Sequence, residues 1–487
     1  MNPSVAPKTD VRSFLAFAIL LALLLLFATS CISAKKTPNL EHIFASARTS
    51  TGKRPVIVIP GILGSELINT KTGEKVWPSA FRTTDEGLPI TPDLSSNRDD
   101  LVAGKIIETL KLSRVLPEVY VYRDLLEALR RYAGYRDGDW ENPGADGGED
   151  TFYVYPYDWR QDNVTNAREL VRRIERLKVK LNRPDLKFNI VAHSMGGLIA
   201  RYAAMYGDAD LPERETPIQP NWAGARHISK IIMIGVPNEG SADAFATLLE
   251  GYSITEGLRR RVPLLNKLTA EDAVRTPSVF QLLPHPAAVK FLDENLQPLT
   301  LDLFDPASWK KYGWSPIFSD EFRRKFASEE HRKVSAHPSQ NKLQILEAYL
   351  AETLYRARRF QQALDAGTDQ SPVMLLAIGG DCEETLNAPV ILRDQKKSRW
   401  LTLLRPIEYR TSAGIRISKR QVTEAMYAPG DGRVTRTSLL GQNLTSDHSR
   451  RSIALQAVFG CDLHGQLQRN KSLQDNALTA IVGEMVK

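Results

Sequence analysis

The sequence predicts an α/β protein: a mostly parallel β-sheet with helices on both faces and an inserted helical cap. Three observations lead there. Six short apolar runs of strand length recur between residues 55 and 461, and several are separated by helical patterns, the alternation that a parallel sheet with two covered faces requires. The gap between the fourth and fifth runs, residues 241–370, holds helical patterns such as "LQILEAYLAETLYRARRFQQAL" together with Trp309 and Trp314. That is too much for a loop and reads as a cap laid over the sheet. The third run, "FNIVA" (188–192), stops at a serine between small residues and passes at once into helix-forming sequence, "MGGLIARY".

In chain order, Lys8 and Arg12 precede the apolar stretch "FLAFAILLALLLLF" (14–27), and the small residues "ATS" lead to Cys31. This is the layout of a cleaved targeting segment, residues 1–30. It resembles a bacterial lipoprotein signal, in which the cysteine thiol takes lipid, with Ala28 where leucine is usual. The alternative is an uncleaved anchor, since the apolar stretch counted on to Ile32 approaches the roughly 20 residues of a membrane span. Either way the body is exported and membrane-anchored, and as a lipoprotein it would sit at the bacterial outer membrane or on a periplasmic face.

Residues 31–53 are polar and read as a tether. Residues 54–240 form the first part of the core, with strands "PVIVIP" (55–60), "FYVYP" (152–156), "FNIVA" and "KIIMIGV" (230–236) and helices such as "YRDLLEALRRYA" and "NARELVRRIERLKVKL". After the cap at 241–370, residues 371–487 supply the second part, with strands "VMLLAIG" (373–379) and "IALQAVFGC" (453–461).

The composition of the 487 residues, 42% hydrophobic and 25% charged, excludes a chain disordered throughout. The net charge is +7, but Lys and Arg are dispersed and no basic block is interleaved with aromatics. Nucleic acid is therefore not the expected partner, and attraction to an anionic membrane surface fits the charge better. There are three cysteines. With Cys31 assigned to lipid, Cys382 and Cys461 remain as a pair for an oxidising compartment. No CxxC or His/Cys cluster suggests a metal, and no cofactor is expected.

"AHSMG" (192–196), at the end of a strand and the start of a helix, reads as a nucleophile elbow, a sharp turn that exposes the Ser194 hydroxyl at the C-terminal edge of the sheet. Small neighbours are needed because helix and strand backbones meet there, so Gly196 and Ala192 must not clash. Ala192 stands where the first glycine is usual. Met195, first in the helix, offers its backbone N–H to a developing oxyanion.

Further stretches narrow the family. "PVIVIPGILGSEL" (55–67), "YPYDWRQ" (155–161), "AHSMGGLIARY" (192–202), "GVPNEGSADAF" (235–245) and "PGDGRVTRTSL" (429–439) resemble, in order, the motifs of the lecithin:cholesterol acyltransferase and lysosomal phospholipase A2 family, especially its bacterial lipase-like members. The resemblance implies an α/β-hydrolase fold with a cap, and hydrolysis or transfer of lipid acyl groups. It implies Ser194 as nucleophile, Asp431 of "GDGRV" as acid and Ile62 as the residue whose N–H is the second oxyanion donor. The family's animal members carry a cysteine pair after the first motif, whereas residues 68–120 here contain none, so lid geometry and substrate preference do not carry over.

The chemistry agrees: a serine hydroxyl is a poor nucleophile until a histidine takes its proton and a carboxylate orients that histidine. His464 follows the last strand and precedes the last helix, where this topology puts the base. His448 precedes that strand and belongs at the opposite edge. Asp381, after the fifth strand, is a rival acid without the motif. Cys382 and Cys461 fall at the C-terminal ends of the last two strands, where a disulfide would brace the loops carrying the base. His193 is expected to point away from the site, and Asp158, Trp159 and Arg160 to fix loop backbone and pack rather than touch substrate.

The reading is a serine hydrolase cleaving lipid acyl esters through a Ser-His-Asp triad and an acyl-enzyme. An O-acyltransferase using the same intermediate is the alternative, and no residue decides between them. An inactive hydrolase fold kept for binding stands further off, because nucleophile, acid, base and oxyanion loop are all present.

Overall fold

The computed structural model describes residues 37–79, 99–110, 119–253, 267–324, 339–367, 371–394, 398–444 and 453–483. The targeting segment, Cys31 and His448 lie outside the described residues. The chain divides into two compact units, residues 1–39 and 40–487, and the second carries everything that follows.

Seven strands build the central sheet: β1 (Val56–Ile59), β2 (Arg136–Asp137), β3 (Thr151–Val154), β4 (Phe188–His193), β5 (Ile228–Ile234), β6 (Met374–Gly380) and β7 (Gln456–Gly460). They lie in the order β7-β6-β5-β4-β1-β3-β2, and every neighbouring pair is parallel. The apolar runs explain this. Every residue of β1 and β4 is buried, as strands covered on both faces must be.

Alternate residues of β1 serve different cores. Ile57 and Ile59 pack in one cluster with Val164, Leu170 and Ile174 of α2 (Asn163–Lys180) and with α3 (Met195–Tyr206). Val56 and Val58 face the opposite cluster, with Leu125 and Leu129 of α1 (Arg123–Arg131) and Leu473 and Ile481 of the final helix. The period-two pattern of the strand thus becomes a three-layer sandwich. This is an α/β-hydrolase fold.

The order also makes the crevice. From β1 the chain moves out to β2 at the edge, steps back to β3, then returns across β1 to lay down β4, β5, β6 and β7. Loops leaving the C-terminal ends of β1 and β4 therefore diverge on either side of a gap, the place where such sheets hold ligands.

Several elements depart from the sequence expectation. The polar tether does not extend to residue 53: Leu40–Ile43 and Ala45–Thr49 are helical, and Leu40 and Phe44, four apart on one face, are buried against the α1 side of the core. The segment 241–370 is not one roof. It opens with α4 (Ala242–Glu250), beside the crevice, and ends with α5 (Ser339–Asp365), a long helix lying along α3. There Arg201 Nη2 donates to the Leu364 carbonyl (2.6 Å), the Tyr206 hydroxyl donates to Ala363 (2.8 Å), and Tyr202 stacks on Phe360. α3 is buried on every side because α5 covers the face the sheet does not. Residues 371–487 also contain antiparallel pairs that the sequence reading lacked, Val390–Asp394 with Arg399–Leu403 among them. The last helix, α6 (Lys471–Val482), closes the chain.

Candidate active site

Ser194 stands between β4 and α3 with φ 52° and ψ −128°. A non-glycine residue there is strained by on the order of 1–3 kcal/mol, and the surroundings enforce it: its N–H donates to the Ile234 carbonyl of β5 at 2.8 Å. Gly196 lets the turn close, since a Cβ on it would stand 2.4 Å from the Pro60 carbonyl oxygen. The small residues of "AHSMG" are thus required by the approach of α3 to β1.

The Ser194 hydroxyl lies 2.9 Å from His464 Nε2, and His464 Nδ1 lies 2.8 Å from Asp431 Oδ2. Asp431 is held from its other oxygen, which accepts from the N–H groups of Arg433 (3.0 Å) and Val434 (2.8 Å). The His464 N–H donates to the Asp431 carbonyl at 2.8 Å. Asp431 is 2% exposed, Ser194 and His464 7% each, so the carboxylate lies deepest and the hydroxyl nearest to space. Asp431 follows a short strand, Tyr427–Gly430, paired antiparallel with Glu383–Leu386 just beyond β6. His464 follows β7 by four residues. One edge of the sheet therefore brings Asp431 and His464 to a serine from its middle.

Met195 is the first residue of α3, where a helix N–H has no partner within the helix. Ile62 sits in a turn after β1 that is closed by Gly64 N–H on the Gly61 carbonyl at 3.1 Å, and it lines the same cavity as Ser194. That cavity, about 370 Å³, is walled mainly by apolar side chains including Leu63, Val121, Tyr252, Leu268, Val279 and Leu282, with Ser194, His464 and Asp431 among its lining residues. Leu463, half exposed at its edge, continues the apolar lining outward. Trp309 and Trp314 do not line it. Both are buried in an aromatic cluster with Phe245 and Phe291, behind the α4 wall.

Cys382 and Cys461 form a disulfide with Cα atoms 5.1 Å apart, joining the chain beyond β6 to the turn that leads into His464. Asp381 faces Arg436 at 3.5 Å and does not join the triad. Asp158, Trp159 and Arg160 line no part of the cavity. The buried Arg160 guanidinium is gripped by Asp158 (2.9 and 2.7 Å) and Asp99 (2.6 and 2.9 Å), and Trp159 Nε1 donates to the Ser65 carbonyl. Among the described residues no group of three or more His, Cys, Asp or Glu could hold a metal, and no helix is long and apolar enough to cross a membrane.

One expectation is corrected. His193 does not point away: its ring lies 4.8 Å from that of His464, it lines the cavity, and burial, reinforced by the neighbouring His464, lowers its pKa to about 3. The tight turn sets its side chain against the His464 ring. The sequence reading also missed Tyr122, whose hydroxyl meets both Gly61 N–H and His193, and Gly235, which abuts the His464 ring. Gly235 had a signal, the glycine straight after β5. Tyr122 had none.

A family model for lecithin:cholesterol acyltransferase matches residues 107–347. The matched segment, just under half of the chain, is similar to the lecithin:cholesterol acyltransferase family. The match includes Ser194 and "YDWRQ" and ends before Asp431 and His464, so the placing of those two rests on geometry. No curated protein matches the sequence. Among solved structures, that of the Tle4–Tli4 complex is 13% identical over 89% of this chain and 99% of that one, with a TM-score of 0.49. The mature lipase BlEst2 of Bacillus licheniformis is 11% identical over 89% and 93% (TM-score 0.32), and lipase 1 of Pelosinus fermentans 12% over 89% and 100% (0.34). Likenesses this distant carry no argument about chemistry.

Proposed function

We propose that this protein is a serine hydrolase of lipid acyl esters. The observation that carries the reading is the chain Ser194–His464–Asp431, with links of 2.9 and 2.8 Å, at the floor of an apolar cavity. His464 takes the hydroxyl proton as Ser194 Oγ attacks the ester carbonyl, and Asp431 stabilises the imidazolium. The tetrahedral oxyanion sits against the N–H groups of Met195 and Ile62. On collapse the C–O bond to the alcohol breaks, and His464 returns the proton to the leaving oxygen. The acyl-enzyme is then opened by water, or by an alcohol acceptor in the O-acyltransferase alternative, with His464 again as base. The apolar walls favour an acyl chain over a polar substrate.

The test is to incubate the purified body with mixed phospholipids plus a sterol or long-chain alcohol and identify the products by mass spectrometry. Free fatty acid support hydrolysis, and sterol or alkyl esters the transferase. Ser194→Ala is expected to lower either activity by several orders of magnitude, and wild-type rates in that variant would sink the proposal.

We also propose export and anchoring through Cys31, on the strength of the N-terminal sequence. Metabolic labelling with a fatty acid is expected to tag the wild type and not Cys31→Ser. Absence of label, with residues 1–30 retained, would favour the uncleaved anchor.

A further inference from the structure

A line of hydrogen bonds outside the triad joins the oxyanion loop to the backbone of the base. It begins at the Pro60–Gly61 peptide, which is held on both sides: the Pro60 carbonyl accepts from the Tyr157 hydroxyl at 2.9 Å, and the Gly61 N–H donates to the Tyr122 hydroxyl oxygen at 2.7 Å. The Tyr122 hydroxyl lies 2.8 Å from His193 Nδ1, and His193 Nε2 lies 3.2 Å from the His464 carbonyl oxygen. Tyr122 is 2% exposed and His193 7%.

The direction of each proton follows from the partners. A carbonyl oxygen only accepts, so His193 Nε2 carries hydrogen. Burial holds His193 neutral, with its pKa near 3, so Nδ1 is a bare acceptor. The Tyr122 hydroxyl therefore donates to Nδ1 while its oxygen receives Gly61. Each group is used in its one available sense, and such a chain is stiffer than its separate links.

We propose that Tyr122 and His193 are positioning residues that lock the Ile62 oxyanion donor and the His464 base into one frame. The inference rests on the triad reading above. The Ile62 N–H lies one residue beyond the fixed Pro60–Gly61 plane, so only the two torsions of Gly61 separate it from the anchor. Gly61 is also closely packed, since a Cβ on it would stand 2.8 Å from Ser194 Cβ. At the other end both backbone groups of His464 are occupied, its N–H by the Asp431 carbonyl and its carbonyl by His193. Neither Tyr122 nor His193 bonds to the Ser194 hydroxyl or to the ring nitrogens of His464. They act through the two groups that do the chemistry.

The test is steady-state kinetics of the full chain on a soluble p-nitrophenyl ester, with rates expressed per active site titrated by a fluorophosphonate. Wild-type turnover and its loss in Ser194→Ala, which has no titratable serine and is rated per folded protein, examine the hydrolase reading alone, and failure there is failure of that reading. Given an active wild type, Tyr122→Phe is expected to lower kcat about tenfold to hundredfold with KM within about threefold, since an ångström of misplacement reaches that size and deleting a whole oxyanion donor exceeds it. His193→Asn can still accept from Tyr122 but does not reach His464, and it is expected to lose kcat in the same manner. If Tyr122→Phe does not fold, His193→Asn decides. A kcat per titrated site within threefold of wild type in the deciding variant would overturn the proposal. So would failure of both to fold, or a loss confined to melting temperature or KM, since those mark a merely structural role.

Discussion

At Gly235 one hydrogen atom makes room for the His464 ring. Its φ is +57°, and a Cβ placed on it would stand 3.0 Å from both Cε1 and Nδ1 of His464 and 2.9 Å from Leu467 Cδ1. The alanine would therefore strain the backbone by on the order of 1–3 kcal/mol and push the imidazole from its line between Asp431 and Ser194. Gly235→Ala is expected to lose about a hundredfold in kcat beyond any loss of stability, as read from kcat of the folded fraction beside a denaturant titration. Undiminished turnover would show that the ring does not depend on this contact. Ser194 was legible in the sequence because its turn compresses nucleophile, small neighbours and helix start into five adjacent residues. His464 was legible only through topology, as the histidine between last strand and last helix. Tyr122 was not legible at all: its partners Gly61 and His193 lie 61 and 71 residues away, and His193 meets His464 across 271. Local pattern carries no trace of such contacts.

Among the elements, strands buried on both faces announced themselves. "VIVI" is a continuous apolar run and "FNIVAH" is broken only by the buried Asn189 and His193, because nothing on either side of them is wet, and six of the seven central strands were legible as apolar runs, although β7 carries no buried residue. The seventh, β2, is two exposed residues, Arg136 and Asp137, held by pairing with β3 rather than by hydrophobic pattern. The antiparallel pair of Val390–Asp394 and Arg399–Leu403 escaped for a related reason: "VILRD" and "RWLTL" hold β-forming residues, but each is a half-exposed run of five residues with too little alternation to mark a strand until it is paired. The cap expectation failed in its second half through a matter of place. The pattern of α5 marks it as a helix, but its partner is fixed by long-range polar contacts. Arg356 reaches Asp162 at 2.7 Å and Asp210 at 2.9 Å, and Asp162 also caps α2 through Val164 and Thr165. α2, α3 and α5 thereby become one layer, leaving α4 with Tyr252, Leu268, Val279 and Leu282 as the wall of the crevice.

Across the whole molecule, three buried histidines set the response to acid. Burial is the first cause in each: it lowers the pKa of His193 to about 3 and those of His227 and His285 to about 4, with the charges of Lys178 and Arg226 adding to the effect on His227. All three lie below the ordinary value of 6.5, so the unfolded chain binds protons first as pH falls. Their contribution is therefore intact above about pH 6.5 and is lost progressively as pH falls toward about 4 for His227 and His285, and toward about 3 for His193. Asp150 and Asp210, held below the ordinary value of 3.8, push in the same direction only in stronger acid. Glu239 opposes them, because burial raises its pKa and acid relieves the cost of its charge. Among the described residues it is one group against the three histidines. A pKa displacement is worth about 1.4 kcal/mol per unit, so the three histidines together are expected to remove several kcal/mol between pH 7 and pH 5, a large part of the roughly 5–15 kcal/mol that a folded protein commonly has. Urea unfolding at the two pH values measures this directly, with the midpoint expected to fall at pH 5 and to fall less in His285→Asn. An unchanged midpoint would mean that these imidazoles accept protons in the fold as readily as in water, and that the burial ascribed to them is wrong.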